Sequence, residues 1–385
     1  MPPLSLYVHL PWCVRKCPYC DFNSYKAAAD LPQDAYVEAL LRELDGDLPA
    51  VEGRVVRTVF LGGGTPSLFS GEAIQTLLDG IRARLPLAAD AEVTLEANPG
   101  ASEQERFRHY RAAGCTRLSI GVQSFDDAML ARLGRIHGRE QALHAVEVAS
   151  TAGFEDINLD LMWGLPGQTP AQARADLETA LELGTTHLSY YQLTIEPGTS
   201  FELSPPTLPD EDALWAVQLQ AEALLEDHGY TQYEVSAFCL PGWACRHNLN
   251  YWEFGDYLGL GAGAHGKVTR MSDGAIWRYD NLRRPREYMT GLSAGQRVRN
   301  GRWVDRDERL FEFLMNGLRL RAGVDVELLE GRAGLSPNLA GPELARAQAD
   351  GLLEPVGRRI RPTELGRRFL NDLVMRFLPD GEVSG

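Results

Sequence analysis

Six short apolar runs, each followed by a helix-like stretch, limit the folds open to this 385-residue chain. The runs are Leu4–His9, Val55–Leu61, Glu92–Glu96, Arg117–Val122, Ile157–Met162 and His187–Leu193. Helical patterns lie between them near Asp34–Leu48, Gly71–Leu85, Ser102–Ala113, Arg139–Ala152 and Thr169–Leu183. A repeat of roughly 30 to 40 residues is the length of a βα unit. Most runs are almost continuously apolar, as parallel strands buried on both faces must be. Six units predict an α/β chain built on a partial (β/α)6 barrel rather than a full eight-fold one. Parallel barrels place their sites at the C-terminal ends of the strands.

After Pro206 the pattern loosens. A helix is expected near Asp210–His228, a strand near Tyr233–Phe238, and then a glycine-rich turn, Leu258–Gly266. Arg278, Arg283, Arg284, Arg286, Arg297, Arg299 and Arg302 fall in a Pro- and Gly-containing stretch that reads as a solvated linker. An amphipathic helix over Asp305–Leu320, shorter helical pieces and a short hairpin over Leu353–Ile360 suggest a smaller, mainly helical, winged-helix-like module. The expected organisation is a core over residues 1–206, a flanking extension and linker over 207–300, and a C-terminal domain over 301–385.

Cys13, Cys17 and Cys20 form Cys-x3-Cys-x2-Cys in the segment Tyr7–Phe22. A [4Fe–4S] cubane usually takes four cysteine thiolates. Three from one loop would leave one iron open to a small molecule. Structural zinc competes, but it prefers a closed set of four ligands on paired Cys units. A disulfide reading fails on the odd number and on six cysteines in so long a chain. Cys115, Cys239 and Cys245 read as inert thiols, although Cys245 could be a second iron or thiol site.

The formal charge is −15, which argues against broad contact with nucleic acid, since that depends on Lys and Arg neutralising phosphates. The C-terminal module is near neutral, so no DNA-reading role is expected of it. The N-terminus shows no basic n-region with an apolar h-region, and no run of about 18 apolar residues occurs. The expectation is a cytoplasmic protein.

Polar groups interrupt the apolar runs at their ends. Glu96 ends the third, Gln123 the fourth, and Asp160 lies in the fifth. A polar group inside an apolar strand is costly unless paired, so three on successive strands suggest one shared polar site. Gly62-Gly63-Gly64-Thr65-Pro66 follows the second run, where glycines let backbone approach a ligand closely. Arg135 is placed to answer a carboxylate.

These motifs resemble those of radical S-adenosylmethionine proteins of the oxygen-independent coproporphyrinogen III oxidase family, over nearly the whole chain. The resemblance implies that Cys13, Cys17 and Cys20 bind a [4Fe–4S] cluster. It also implies that Tyr7, Tyr19, Gly63, Gly64, Thr65, Glu96, Gln123, Arg135 and Asp160 contact S-adenosylmethionine.

Two departures set the chain apart from the decarboxylating members, which carry a further cysteine two residues after the third and a long segment before the motif. Here that position is Phe22, and twelve residues precede Cys13. His247-Asn248-Leu-Asn-Tyr251-Trp252 is similar to a motif of the family's heme-chaperone subgroup. On a helix, His247 and Tyr251 would share a face, as would Asn248 and Trp252. By resemblance these four would bind heme, with His247 as an axial ligand. Taken alone, the same residues read as a hydrogen-bonded histidine and two packing aromatics. His265, in Gly-Ala-His-Gly, could also approach a ligand.

The implied function is heme binding and transfer to acceptor proteins, including peripheral contact with membrane-bound acceptors, without coproporphyrinogen dehydrogenase activity. The rival is that dehydrogenase itself, an oxidative decarboxylase. A radical enzyme acting on RNA or another small molecule fits the acidic balance less well.

Overall fold

The computed structural model describes residues 1–100, 105–296, 298–336 and 341–379. Twelve strands form one sheet. They are β1 (Leu4–Leu10), β2 (Val56–Gly63), β3 (Leu87–Ala97), β4 (Arg117–Gln123), β5 (Asp156–Trp163), β6 (His187–Gln192), β7 (Thr231–Glu234), β8 (Ala237–Cys239), β9 (Asp256–Leu260), β10 (His265–Thr269), β11 (Ile276–Asn281) and β12 (Arg299–Trp303). Their order is β12-β11-β10-β9-β1-β2-β3-β4-β5-β6-β8-β7.

Strands β1 to β6 are parallel and follow chain order, so the six predicted units are all present. Every residue of β4 is buried, as a strand covered on both faces requires. The six expected helices are present as α1 (Gln33–Asp47), α2 (Gly71–Arg82), α3 (Phe107–Ala113), α5 (Arg139–Thr151), α6 (Pro170–Glu182) and α7 (Glu211–Asp227), and a further short helix, α4 (Asp127–Arg132), precedes α5. Ser102, the expected start of α3, lies outside the described residues. Local chemistry sets several starts. Ser70 Oγ accepts the Ala73 N–H at the head of α2, Thr169 and Gln172 form a capping box before α6, and Asp210 caps α7. Leu40, Leu44, Ile74, Leu77 and Ile81 from α1 and α2 join the strand residues in the main core.

Three expectations need correction. Tyr233–Phe238 is not one strand: β7 and β8 form an antiparallel hairpin against β6, with Val235 and Ser236 at the turn. The segment around Leu258–Gly266 is more than a turn, because β9 pairs parallel with β1 and adds a seventh parallel strand. The arginine stretch is not a linker. It holds β11, helix α9 (Pro285–Ser293) and β12. Its arginines have distant acidic partners: Arg299 meets Glu43 at 2.5 Å and Asp47 at 2.6 Å on α1, and Arg278 meets Glu312 at 2.8 Å. Arg297 lies outside the described residues.

The C-terminal part begins with a helix over Arg306–Gly317, closed at its head by a capping box of Asp305 and Glu308. Helices Val326–Ala333, Gly341–Ala349, Glu364–Arg368 and Leu370–Met375 follow. The expected local hairpin is present, with Leu353 bridging Pro362 antiparallel and the Glu354 N–H donating to Arg361 O at 2.9 Å, and Arg359–Ile360 also pairs with the distant Val324–Asp325. Phe313, Leu314, Val324, Leu329, Leu344 and Leu373 form its own core, shared with Phe254 and Ile276.

Candidate functional site: two adjoining cavities

A loop follows β1 and carries the three cysteines. Trp12–Cys13 pairs with Tyr25–Lys26 in a two-residue ladder that pins both ends of the loop. Cys13, Cys17 and Cys20 are free thiols of intermediate exposure, while Cys115, Cys239 and Cys245 are buried. Burial pushes the Cys13 and Cys20 thiols up, partly offset at Cys13 by hydrogen bonds from Thr65 and Ser24. Metal binding must therefore release protons from this loop.

The glycine turn after β2 lies directly against this loop. The Gly64 N–H donates to Leu10 O at 2.9 Å and the Thr65 N–H to Trp12 O at 2.7 Å. A Cβ on Gly64 would stand 2.6 Å from Trp12 O, so no larger residue fits. Gly63 has φ +114°, a conformation that favours glycine. Its N–H donates to Glu96 Oε2 at 2.9 Å.

Beneath the cysteines is a cavity of about 140 Å³. Cys13, Cys17 and Cys20 line it, together with Tyr19, Gly63, Gly64, Thr65, Glu96, Gln123, Arg135 and Asp160. The sequence placed these residues at one site, and the fold brings them together. Arg135 donates to Asn98 Oδ1 at 2.5 Å and Gly121 O at 2.7 Å, and lies 3.7 Å from Cys17 Sγ. Ser119 Oγ and Asn158 Nδ2 donate to the two oxygens of Asp160 at 3.1 and 2.8 Å. Burial pushes the Glu96 carboxyl up to about 7, and the nearby Asp160 adds to the rise. Gln123 has φ +70°, unusual for a residue other than glycine, and its Oε1 accepts the Tyr191 hydroxyl at 2.6 Å. Such strain is held only where the surroundings enforce it.

Sequence reasoning missed Asn98, Ser119, Gly121 and Tyr191 in this cavity. A signal existed for two of them. Ser119, Gly121 and Gln123 alternate along β4, and alternation puts them on one face. The polar and small residues of that strand therefore form the cavity wall.

Tyr7 is placed elsewhere. It lines a second, larger cavity of about 620 Å³, with Tyr251 and Trp252 in the wall. Gly63, Glu96 and Phe22 line both cavities. Phe22 is 61% exposed, a large apolar side chain at their common edge.

Tyr251 and Trp252 end a short helix, α8 (Arg246–Trp252), which precedes α9 in the chain. Glu92 caps its head, accepting the Arg246 N–H at 2.8 Å and the His247 N–H at 3.0 Å. His247 is not in the cavity wall. It is buried, with Nδ1 2.7 Å from Thr58 Oγ1 and Nε2 3.0 Å from the Tyr251 hydroxyl. Burial takes its pKa down to about 3. Its expected role as an axial ligand does not match this placement, because both ring nitrogens are engaged under the cavity floor. Asn248 also faces elsewhere, its Nδ2 donating to the Tyr233 hydroxyl at 3.3 Å. Trp252 lies under the Arg319 guanidinium at 4.3 Å, and its buried Nε1 has no hydrogen-bond partner among the described residues.

The site fits a cluster and a small polar ligand. Three free thiols line one cavity with Arg135 beside Cys17, the glycine cradle excludes side chains, and the carboxylates of Glu96 and Asp160 line the same cavity. That geometry, on a parallel partial barrel, defines a radical S-adenosylmethionine protein, and the radical SAM superfamily matches residues 7–180. The HemN C-terminal domain matches residues 304–369. The chain is 52% identical over 381 residues to the heme chaperone HemW of Escherichia coli K12, with 99% of each chain covered. It is 45% identical to the heme chaperone HemW of Haemophilus influenzae over 384 residues, again at 99% of each. Among solved structures, the coproporphyrinogen III oxidase HemN of Escherichia coli, described as a radical SAM enzyme, superposes with a TM-score of 0.83 at 26% identity, covering 98% of this chain and 90% of that one. The chain belongs to the heme chaperone HemW family.

Proposed function

We propose that the chain holds a [4Fe–4S] cluster and S-adenosylmethionine in the smaller cavity, takes heme into the larger one, and passes it to acceptor proteins. The observation that carries this is the common wall: Phe22, Gly63 and Glu96 belong to both cavities. A volume of about 620 Å³ lies within the range of cofactor pockets.

In this reading Cys13, Cys17 and Cys20 ligate the cluster, which when bound supplies an electron for radical chemistry on the sulfonium ligand. The Gly63–Thr65 turn faces the methionine end of S-adenosylmethionine, Tyr19 lies against the adenine, and Glu96 and Asp160 hold ribose hydroxyls. Tyr7, Tyr251 and Trp252 flank the porphyrin, while His247 and Asn248 fix the helix that presents the last two. In the same reading the protein works in the cytoplasm. Delivery to a membrane-bound acceptor is by peripheral contact; no helix among the described residues is long and apolar enough to cross a membrane.

The likeness to the HemN structure supports a second reading, oxygen-independent coproporphyrinogen III dehydrogenase. Phe22 speaks against it, since no thiol stands at the common edge. One anaerobic preparation tests both: hemin binding, heme transfer to an apo-acceptor, and coproporphyrinogen III turnover with reductant and S-adenosylmethionine. Binding and transfer without turnover support the chaperone. Turnover without heme transfer supports the enzyme.

A further inference from the structure

Two of the eight histidines line the larger cavity, His9 and His265. His9 is engaged at both nitrogens: Nδ1 lies 2.9 Å from the Tyr7 hydroxyl and Nε2 2.9 Å from Asn23 O. His265 is exposed, and among the described residues no hydrogen bond is made to its ring. It is the cavity histidine whose nitrogens are both open to a ligand.

Its position is fixed by backbone. His265 opens β10 after a turn in which Gly261 and Gly263 have φ +103° and +80°. A Cβ on Gly259 would stand 1.8 Å from His265 O, so the missing side chain lets β9 and the head of β10 approach. Asp280 is its direct partner across the antiparallel pair of β10 and β11, and opposed residues share a face of the sheet. Asp280 also lines the cavity. A histidine that ligates a metal usually gives its other ring N–H to a carboxylate or carbonyl. The remaining cations differ in availability. Lys267 is held by Asp256 at 3.0 Å and Arg278 by Glu312 at 2.8 Å. Arg283 lines the cavity, is exposed, and among the described residues has no side-chain partner.

We infer that His265 is the axial ligand to the iron of a heme seated in the larger cavity, with Asp280 orienting its ring and Arg283 meeting a propionate. This rests on the reading of that cavity as the heme site. The ligand thus comes from the glycine-rich turn, and the His-Asn-x-x-Tyr-Trp helix supplies a wall.

The test titrates hemin into cluster-loaded protein, with absorbance read against the same protein without hemin and the ferric heme followed by EPR. His265→Ala is expected to change the spin state and Soret position and to weaken binding about tenfold or more. Added imidazole should restore the wild-type spectrum. Asp280→Asn should weaken binding about tenfold, the usual size of an outer-shell loss, and retain the histidine signature. Iron content and cluster absorbance report folding, and His265→Gln replaces the alanine variant if that one loses its cluster. An unchanged heme spectrum and affinity in the folded His265 variant overturns the ligand assignment while leaving heme binding intact. Failure of the wild type to bind hemin overturns both this assignment and the reading on which it rests.

Discussion

His247 Nε2 lies 3.0 Å from the Tyr251 hydroxyl one helical turn away, while its Nδ1 lies 2.7 Å from Thr58 Oγ1 on β2. The histidine therefore bolts α8 to the sheet and orients Tyr251 in the cavity wall. Replacing it by alanine takes away the Tyr251 hydroxyl's partner, leaves Thr58 Oγ1 with Ser5 Oγ at 2.7 Å, and opens a void. His247→Ala should destabilise the fold by about 2–4 kcal/mol. A lower urea midpoint with an unaltered heme EPR signal is the expected result. A lost histidine signature would return the ligand role to His247.

The three loop cysteines should act as one set. Reconstituted protein should carry about four irons per chain, and alanine at Cys13, Cys17 or Cys20 should remove most of the cluster absorbance. Serine at Cys115, Cys239 or Cys245 should leave iron content unchanged, since these thiols are buried away from the loop. Iron analysis with absorbance spectra checks both halves.

Gly64→Ala should fail where many Gly→Ala changes succeed. Its new Cβ would meet Trp12 O at 2.6 Å, and backbone cannot give way as a flexible side chain can. The expected outcome is a displaced cysteine loop and loss of most bound iron, with the far-UV spectrum of the barrel retained.

Glu96 sets a pH dependence. Its folded pKa, about 7, lies above the ordinary carboxyl value of 4.5. The folded state therefore binds more protons than the unfolded state between those values. Its contribution to stability falls as pH rises from about 4.5 to about 7 and is flat beyond. In Glu96→Gln this part of the slope should vanish. Urea melts of both proteins across that window are the measurement.

Asp256 anchors β9 from within. It meets Arg54 at 2.8 Å and Lys267 at 3.0 Å, all three buried. Burial alone would raise its pKa, but the two cations and the hydrogen bonds from Lys267 and the Thr269 N–H together lower it. Asp256→Ala strands both cations and should cost about 3–5 kcal/mol. A much smaller fall in thermal midpoint when Asp256→Leu is combined with both Arg54→Met and Lys267→Met would locate the cost in the unpaired charges.

The six βα units were legible because each is local: an apolar run, a cap and an amphipathic helix lie within a few dozen residues. Pairing between distant segments was not. Nothing within Asp256–Leu260 indicates that β1, some 250 residues earlier, is its neighbour. The arginines around 278–302 resembled a solvated tract because Glu43, Asp47 and Glu312 lie far off in the sequence. The smaller cavity was largely readable, since its residues sit at strand ends and in turns where a polar group or glycine is conspicuous. His247 misled because a histidine beside two aromatics looks the same whether it faces a cavity or supports its floor.

Glu96 accepts its hydrogen bond from Gly63, and both residues belong to two chambers at once. A change in the charge or orientation of that carboxylate on one side is felt on the other. Thermodynamics makes such influence mutual: whatever factor an occupant of the first chamber imposes on affinity in the second is returned in full. A partition made of a titratable side chain thus links loading and unloading, and cargo uptake measured with and without S-adenosylmethionine gives the size of that link.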